Sequence, residues 1–175
     1  MEAIIGIGSN IRPSENVRKS IGMLAKYTRI RSVSSVYRSP AENRPEQPMF
    51  YNCAVMVETA LSEGRLRTEV LARIEADLGR VRTGDKFAAR TIDLDLLACR
   101  GDPGGVPGNA MVGPDILNHP YVALPLAELA PELSVGAGGM SLREAVRTLS
   151  QDSIEKLSEF STTLRREFVC DKDFQ

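Results

Sequence analysis

An α+β sandwich with an antiparallel-rich sheet is predicted by three observations. Apolar or alternating runs recur at Ala3–Ile7, Ile30–Tyr37, Asn52–Thr59 and Thr91–Leu97, as strands require. Stretches with apolar residues at helical spacing fall between the first and second runs and between the third and fourth. Further helical stretches follow the last run. The order β-α-β-β-α-β is that of a ferredoxin-like split βαβ arrangement, here with added C-terminal helices.

Each element has a local cause. Ala3–Ile7 is an apolar run stopped by Gly8-Ser9-Asn10. After Pro13-Ser14, Val17, Ile21 and Leu24 share one helix face over about three turns. Ser39–Pro48 holds three prolines and reads as a loop. Asn52–Thr59 is β-branched at Val55 and Val57. Ser62 is placed to cap a helix whose apolar face is Leu66, Val70, Ile74 and Leu78, and Gly79 ends it. Thr91–Leu97 (TIDLDLL) alternates strictly. The glycine- and proline-rich Gly101–Pro114 reads as a mobile surface loop. Leu124–Leu133 and Ser141–Leu149 read as helices, the second opened by a Ser141/Glu144 capping box. The organisation expected is one domain over 1–160 with a C-terminal tail over 161–175.

Composition narrows the function. Lys+Arg is 22 against Asp+Glu 23, so no global cation excess exists to hold a nucleic-acid backbone or an anionic bilayer. No apolar run is long enough to span a bilayer. Neither a nucleic-acid nor a membrane partner is therefore expected. Three cysteines, Cys53, Cys99 and Cys170, form no CxxC pattern and read as reduced thiols of a cytoplasmic protein. His119 is the single histidine, which excludes a histidine-rich zinc site.

The chemistry concentrates in Glu75–Asp95 (EADLGRVRTGDKFAARTIDLD). Asp93 and Asp95 lie two apart on a strand, so both carboxylates leave one face. Their Cα atoms are about 6.5 Å apart. Side by side, such groups repel unless cations hold them, and magnesium bound to substrate phosphates does so. Upstream, Arg80, Arg82, Lys86 and Arg90 stand against the single acid Asp85. Carboxylates beside several guanidinium groups suit phosphoryl transfer, where cations neutralise phosphate oxygens. No Walker A sequence is present, and Gly6-Ile7-Gly8 lacks the third glycine of a dinucleotide fingerprint. Taken singly, each feature also fits a solvated strand face or a helix end served by arginines.

Five ordered segments carry a family resemblance: GIGSN, SSVYRSPAENRPEQPMFYN, RIEADLGRVR, RTIDLDLL and PLAELAPEL. Through them the chain resembles the 6-hydroxymethyl-7,8-dihydropterin pyrophosphokinases of folate biosynthesis, from about Ile4 to Leu149. The resemblance implies a magnesium-dependent enzyme that moves diphosphate from ATP to the pterin hydroxymethyl oxygen and releases AMP. It implies two Mg2+ ions on Asp93 and Asp95, with Arg80, Arg82 and Arg90 beside them as the catalytic set. ATP would meet Glu75, Arg80, Arg82, Lys86, Arg90 and His119. The pterin would meet Ser39, Pro40, Phe50, Asn52, Phe87 and Tyr121. The expected partners are these small molecules, and the expected state is a monomer. Ala88-Ala89 stand where the family reads Gly-Pro, Asn118-His119-Pro120 runs almost directly into Tyr121, and Glu42 and Arg44 put charge in a pterin-side loop that is often more apolar. Two alternatives stay open on those departures: a paralogue acting on another pterin, and a non-catalytic pterin- or nucleotide-binding module.

Overall fold

The computed structural model describes residues 1–82, 84–85, 87–101, 111–136 and 139–169. From β1 (Glu2–Ser9) the chain passes through α1 (Pro13–Leu24) to β2 (Arg29–Val33) and β3 (Tyr37–Ser39), and the proline-rich loop leads to β4 (Phe50–Glu58). One helical stretch follows, made of α2 (Glu63–Arg65), a π-helical segment (Leu66–Leu71) and α3 (Ala72–Asp77). Next come β5 (Asp93–Arg100), β6 (Met111–Val112), a 3-10 turn (Pro114–Asn118) and α4 (Pro120–Leu129). The chain ends through β7 (Ser134–Val135), β8 (Met140–Ser141), α5 (Leu142–Ala145), β9 (Glu155–Lys156) and α6 (Ser158–Phe168).

The main sheet runs β5-β1-β4-β3-β9, with β2 also paired to β4, and every pairing is antiparallel. The fold is α+β, as the element order predicts. Alternation assigns the two faces. Ala3, Ile5 and Ile7 of β1, Cys53, Val55 and Val57 of β4, and Leu94 and Leu96 of β5 meet Val17, Ile21, Leu66, Ile74 and Leu164 in one core. On the opposite face Ile4 and Ala54 pack with Val112, Leu126, Val135, Leu142 and Ala145. This second core covers only part of its face. Gly6, Gly8, Asn52, Asp93 and Asp95 remain beside it, lining an open cavity.

Several elements differ from the sequence reading. The run Ile30–Tyr37 breaks into β2 and β3 because Ser34 uses its side chain in the ladder, its Oγ accepting from Ala54 N–H at 2.8 Å. Ser62 sits at the helix start, but its side chain makes no cap bond. Helix α4 begins at Pro120, whose fixed φ suits a first helical position, and ends at Leu129. The Ser141/Glu144 capping box forms, but only α5 and one 3-10 turn follow it. The tail placed from residue 161 is a helix through Phe168, with Leu164 fully buried. Of the Gly101–Pro114 stretch, residues 102–110 lie outside the described residues, as do Cys170 and the remaining C-terminal residues. Among the described residues no helix is long and apolar enough to cross a membrane.

Glu128 of α4 ties this periphery together. Its Oε2 accepts from Ser35 N–H at 2.7 Å and from Arg165 at 3.3 Å. Its Oε1 accepts from the Tyr37 hydroxyl at 2.6 Å and from Lys156 at 3.2 Å. Burial pushes its carboxyl up, but the bonds from Tyr37, Ser35 and Lys156 outweigh it and hold the group below its ordinary value. Glu128→Ala is expected to lower unfolding free energy by about 2–3 kcal/mol, since charged-acceptor bonds are lost and Ser35 N–H is orphaned. The gap from wild type is full above the ordinary value of 4.5 and shrinks as pH falls through the lowered folded value. Urea midpoints measured across that range check both statements.

Candidate active site

The cavity, about 320 Å³, opens on the bare part of the sheet. Its floor is glycine. In the register of β1, Gly8 lies between Asn52 and Asp93, and Gly6 between Ala54 and Asp95. A Cβ on Gly8 would stand 3.1 Å from Asn52 Oδ1, and one on Gly6 would stand 3.0 Å from Leu97 Cδ1. Two missing side chains therefore create the depression in which the flanking strands expose polar groups. Asn52 Nδ2 donates to Ser39 Oγ at 3.0 Å, which fixes the amide and turns Oδ1 over that floor.

The two aspartates emerge on the same face, as their spacing predicts, but in different states. Asp93 is ion-paired through Oδ1 to Arg80 and through Oδ2 to Arg90. No hydrogen bond or ion pair from a described residue reaches the Asp95 carboxylate. Desolvation, then the neighbouring Asp93 charge, raises the Asp95 carboxyl above the usual range. No cluster of three metal-ligating side chains occurs among the described residues. Two adjacent carboxylates still fit magnesium, which commonly takes one or two protein carboxylates and fills its shell with water and phosphate.

The arginines are held from below. Helix α3 ends in a Schellman turn: Gly79 has φ +73°, Gly79 N–H donates to Ala76 O, and Arg80 N–H donates to Glu75 O. That turn brings Arg80 back over Glu75, which is 4% exposed. The Glu75 carboxylate bonds Arg80, accepts from Arg82 at 2.8 Å and from Leu94 N–H at 2.9 Å. Burial works against the Arg80 charge, and the Asp93 and Glu75 carboxylates outweigh it. Arg90 lies 5.9 Å above the Phe50 ring centroid, within cation–π range.

Ser39, Pro40, Phe50, Asn52, Phe87, Arg90, Asp93, Asp95, His119 and Tyr121 share the cavity wall. Glu75 and Arg80 sit behind Asp93 rather than on that wall, and the Arg82 side chain is largely exposed. Lys86 lies outside the described residues. Sequence reasoning missed the residues that join the loops. Asn10 Oδ1 accepts from Arg90 N–H at 2.8 Å, while its Nδ2 donates to Gln47 Oε1 at 3.1 Å. Gln47 in turn donates to Phe87 O at 2.9 Å, and Arg44 pairs with Asp85 at 3.1 Å. The only sequence signal for the floor was the period-two glycine pair in β1.

Unequal burial gives unequal consequences. Arg80→Ala removes a partner of a buried carboxylate and is expected to cost about 2–4 kcal/mol of unfolding free energy. Arg82→Ala, at an exposed position, is expected to cost about 1 kcal/mol or less. Urea denaturation of the two variants side by side checks the contrast; equal losses would contradict the buried-pair geometry. Comparison with known proteins gives the site its context. Residues 4–131 match the 7,8-dihydro-6-hydroxymethylpterin-pyrophosphokinase family. A Methylorubrum extorquens 2-amino-4-hydroxy-6-hydroxymethyldihydropteridine pyrophosphokinase is 37% identical over 160 residues, 89% of this chain and 98% of that protein. The Haemophilus influenzae protein of the same name is 32% identical over 162 residues, again 89% and 98%. A crystal structure of Plasmodium falciparum HPPK-DHPS, wild type with SDX-DHP, aligns with a TM-score of 0.58 at 12% identity, a likeness of fold. It covers 89% of this chain, which spans 47% of that longer one. Since the family match runs through every strand that builds the cavity floor, the chain belongs to the 7,8-dihydro-6-hydroxymethylpterin-pyrophosphokinase family.

Proposed function

We propose that this cavity is where the chain carries out the pyrophosphokinase reaction of its family in folate biosynthesis. The substrates proposed are ATP and 6-hydroxymethyl-7,8-dihydropterin. The pterin ring lies against Phe50, with Phe87 and Tyr121 as further aromatic walls. Asn52, Ser39 and the backbone of Pro40 read its polar edge. A flat ring with a polar rim wants stacking on its faces and hydrogen bonds around its edge. Arg80, Arg82, Arg90, Lys86 and His119 take the phosphates, and Glu75 acts beneath them by holding Arg80 and Arg82.

In the reaction, the hydroxymethyl oxygen bonds to the β-phosphorus of ATP. The bond from that phosphorus to the oxygen bridging the α-phosphate breaks, AMP leaves, and the hydroxyl proton is lost. Positioning and charge neutralisation are the protein's main tasks in such a transfer. Asp93 and Asp95 would hold two magnesium ions, which when bound supply positive charge to phosphate oxygens and acidify the hydroxyl. Arg90 is shared between Phe50 and Asp93, so it sits where the pterin and phosphate ends of the site meet. The observation that carries the reading is the Asp93/Asp95 pair facing a glycine floor, with two guanidinium groups already on Asp93. The strand order and uniform antiparallel pairing support a ferredoxin-like description of the sheet. The reading extends to a monomer acting in the cytoplasm on small molecules alone; the near-zero net charge supports the part of it that leaves out nucleic acid and anionic membrane.

AMP release from ATP and magnesium, with and without the pterin, tests the reaction; pterin-dependent AMP is expected. Pterin binding without AMP would favour a different acceptor or a binding module. Asp95→Ala is expected to lower turnover by about a thousandfold or more, the scale of several kcal/mol of lost charge stabilisation. Its circular dichroism should match wild type, because the side chain lies on the open strand face. Turnover near wild type would remove the two-carboxylate metal site.

A further inference from the structure

Three groups meet at the cavity mouth from two distant parts of the chain. Glu42 comes from the loop after β3, and His119 and Tyr121 come from the start of α4. The Tyr121 hydroxyl lies 3.1 Å from Glu42 Oε2 and 3.0 Å from His119 Nδ1. Glu42 Oε2 lies 3.7 Å from the same Nδ1, and the two rings are tilted by 55°. All three residues line the cavity that holds Phe50 and Asp93.

We propose that Glu42 is a positioning residue for the pterin site, setting the pose of Tyr121 and, through its hydroxyl, the tautomer of His119. A phenol has one proton to donate, and an ionised carboxylate can only accept. When that proton goes to Glu42, the phenol oxygen accepts from His119, which must then carry hydrogen on Nδ1. The chain Nδ1–H to phenol to carboxylate is therefore the arrangement that satisfies all three groups. It fixes the tyrosine ring as a wall of the cavity. It also leaves His119 Nε2 as the nitrogen open to a further ligand, an acceptor in the neutral ring and a donor to a phosphate oxygen in the imidazolium. One carboxylate thus orients a group proposed for the pterin and a group proposed for the phosphates. Without Glu42 the phenol can donate to Nδ1 instead, the histidine changes tautomer and the ring loses its anchor.

The inference rests on the proposed pterin site, and two measurements separate the failure of each. His119 is the single histidine of the chain, so nitrogen NMR of the imidazole reads one tautomer without overlap. Wild type and Glu42→Gln, whose amide oxygen still accepts, are expected to show the neutral ring with hydrogen on Nδ1. Glu42→Leu and Tyr121→Phe are expected to shift it toward Nε2. Calorimetric titration with 6-hydroxymethylpterin, in the presence of magnesium and a non-hydrolysable ATP analogue, gives the second readout. Glu42→Leu is expected to weaken binding about tenfold, the scale of one bond to a charged acceptor, with Glu42→Gln within about twofold of wild type. In steady state the pterin KM should rise by the same factor with kcat little changed. The double variant Glu42→Leu/Tyr121→Phe should be no worse than either single one. An unchanged tautomer in Glu42→Leu, or effects that multiply in the double variant, would overturn the positioning role. A wild-type protein that does not bind 6-hydroxymethylpterin would overturn the pterin site and the positioning role with it.

Discussion

A buried carboxylate needs cations, and Glu75 finds two. Its burial beneath β5 would be costly alone, since a charge removed from water must be paired and hydrogen-bonded. Arg80, Arg82 and the N–H of Leu94 meet that requirement. Much of the site follows from this pairing. The Schellman turn at Gly79 returns the chain so that Arg80 reaches Glu75 and Asp93 together. Leu94 N–H is the amide between Asp93 and Asp95, so the same carboxylate registers helix α3 against the strand that bears both acids. Arg90 then closes on the second oxygen of Asp93. The positive field proposed to receive phosphates is thereby organised by a residue that does not line the cavity.

The remaining half of the site depends on what is missing from β1. Its two glycines face the cavity, while Ala3, Ile5 and Ile7 face the main core. The strand can therefore be fully packed on one side and bare on the other. The second core covers the Ile4 end of that bare face and stops there. Loops from after β1, after β3 and before β5 surround the opening, joined through Asn10 and Gln47. The proposed substrates would bind where a rigid sheet and three mutually bonded loops converge.

How much of this was legible depends on range along the chain. The alternation of TIDLDLL and the cations preceding it are local, so the paired aspartates and Arg80 and Arg90 could be read directly. The α+β element order was equally local. Helix α6 was hidden because only Leu157, Phe160, Leu164 and Phe168 mark its packed face, and the residues between them are polar. The break at Ser34 was hidden because a side chain replaces a backbone partner there. The bonds of Asn10, Gln47 and Glu42 were unreadable for a different reason. Their partners lie tens of residues away, and a polar loop residue carries no period that announces a distant bond. Glu75 was readable as a site residue only through the family resemblance, and its place under Arg80 is a matter of tertiary packing.

The irregularity in β5 has a consequence of its own. Opposite Ile4 and Ile5 the strand carries one extra residue, so Leu96 pairs with Ile5 while Ala98 pairs with Ile4. Such a bulge works like a change of reading frame. Before it, odd-numbered positions face the cavity and even-numbered ones the core; after it, the assignment reverses, and Cys99 returns to the core side. The two halves of one strand are thus phased independently. Substitutions that tune the acidic half leave the facing of the packed half untouched, so the site can diverge in its chemistry without asking the sheet to be rebuilt.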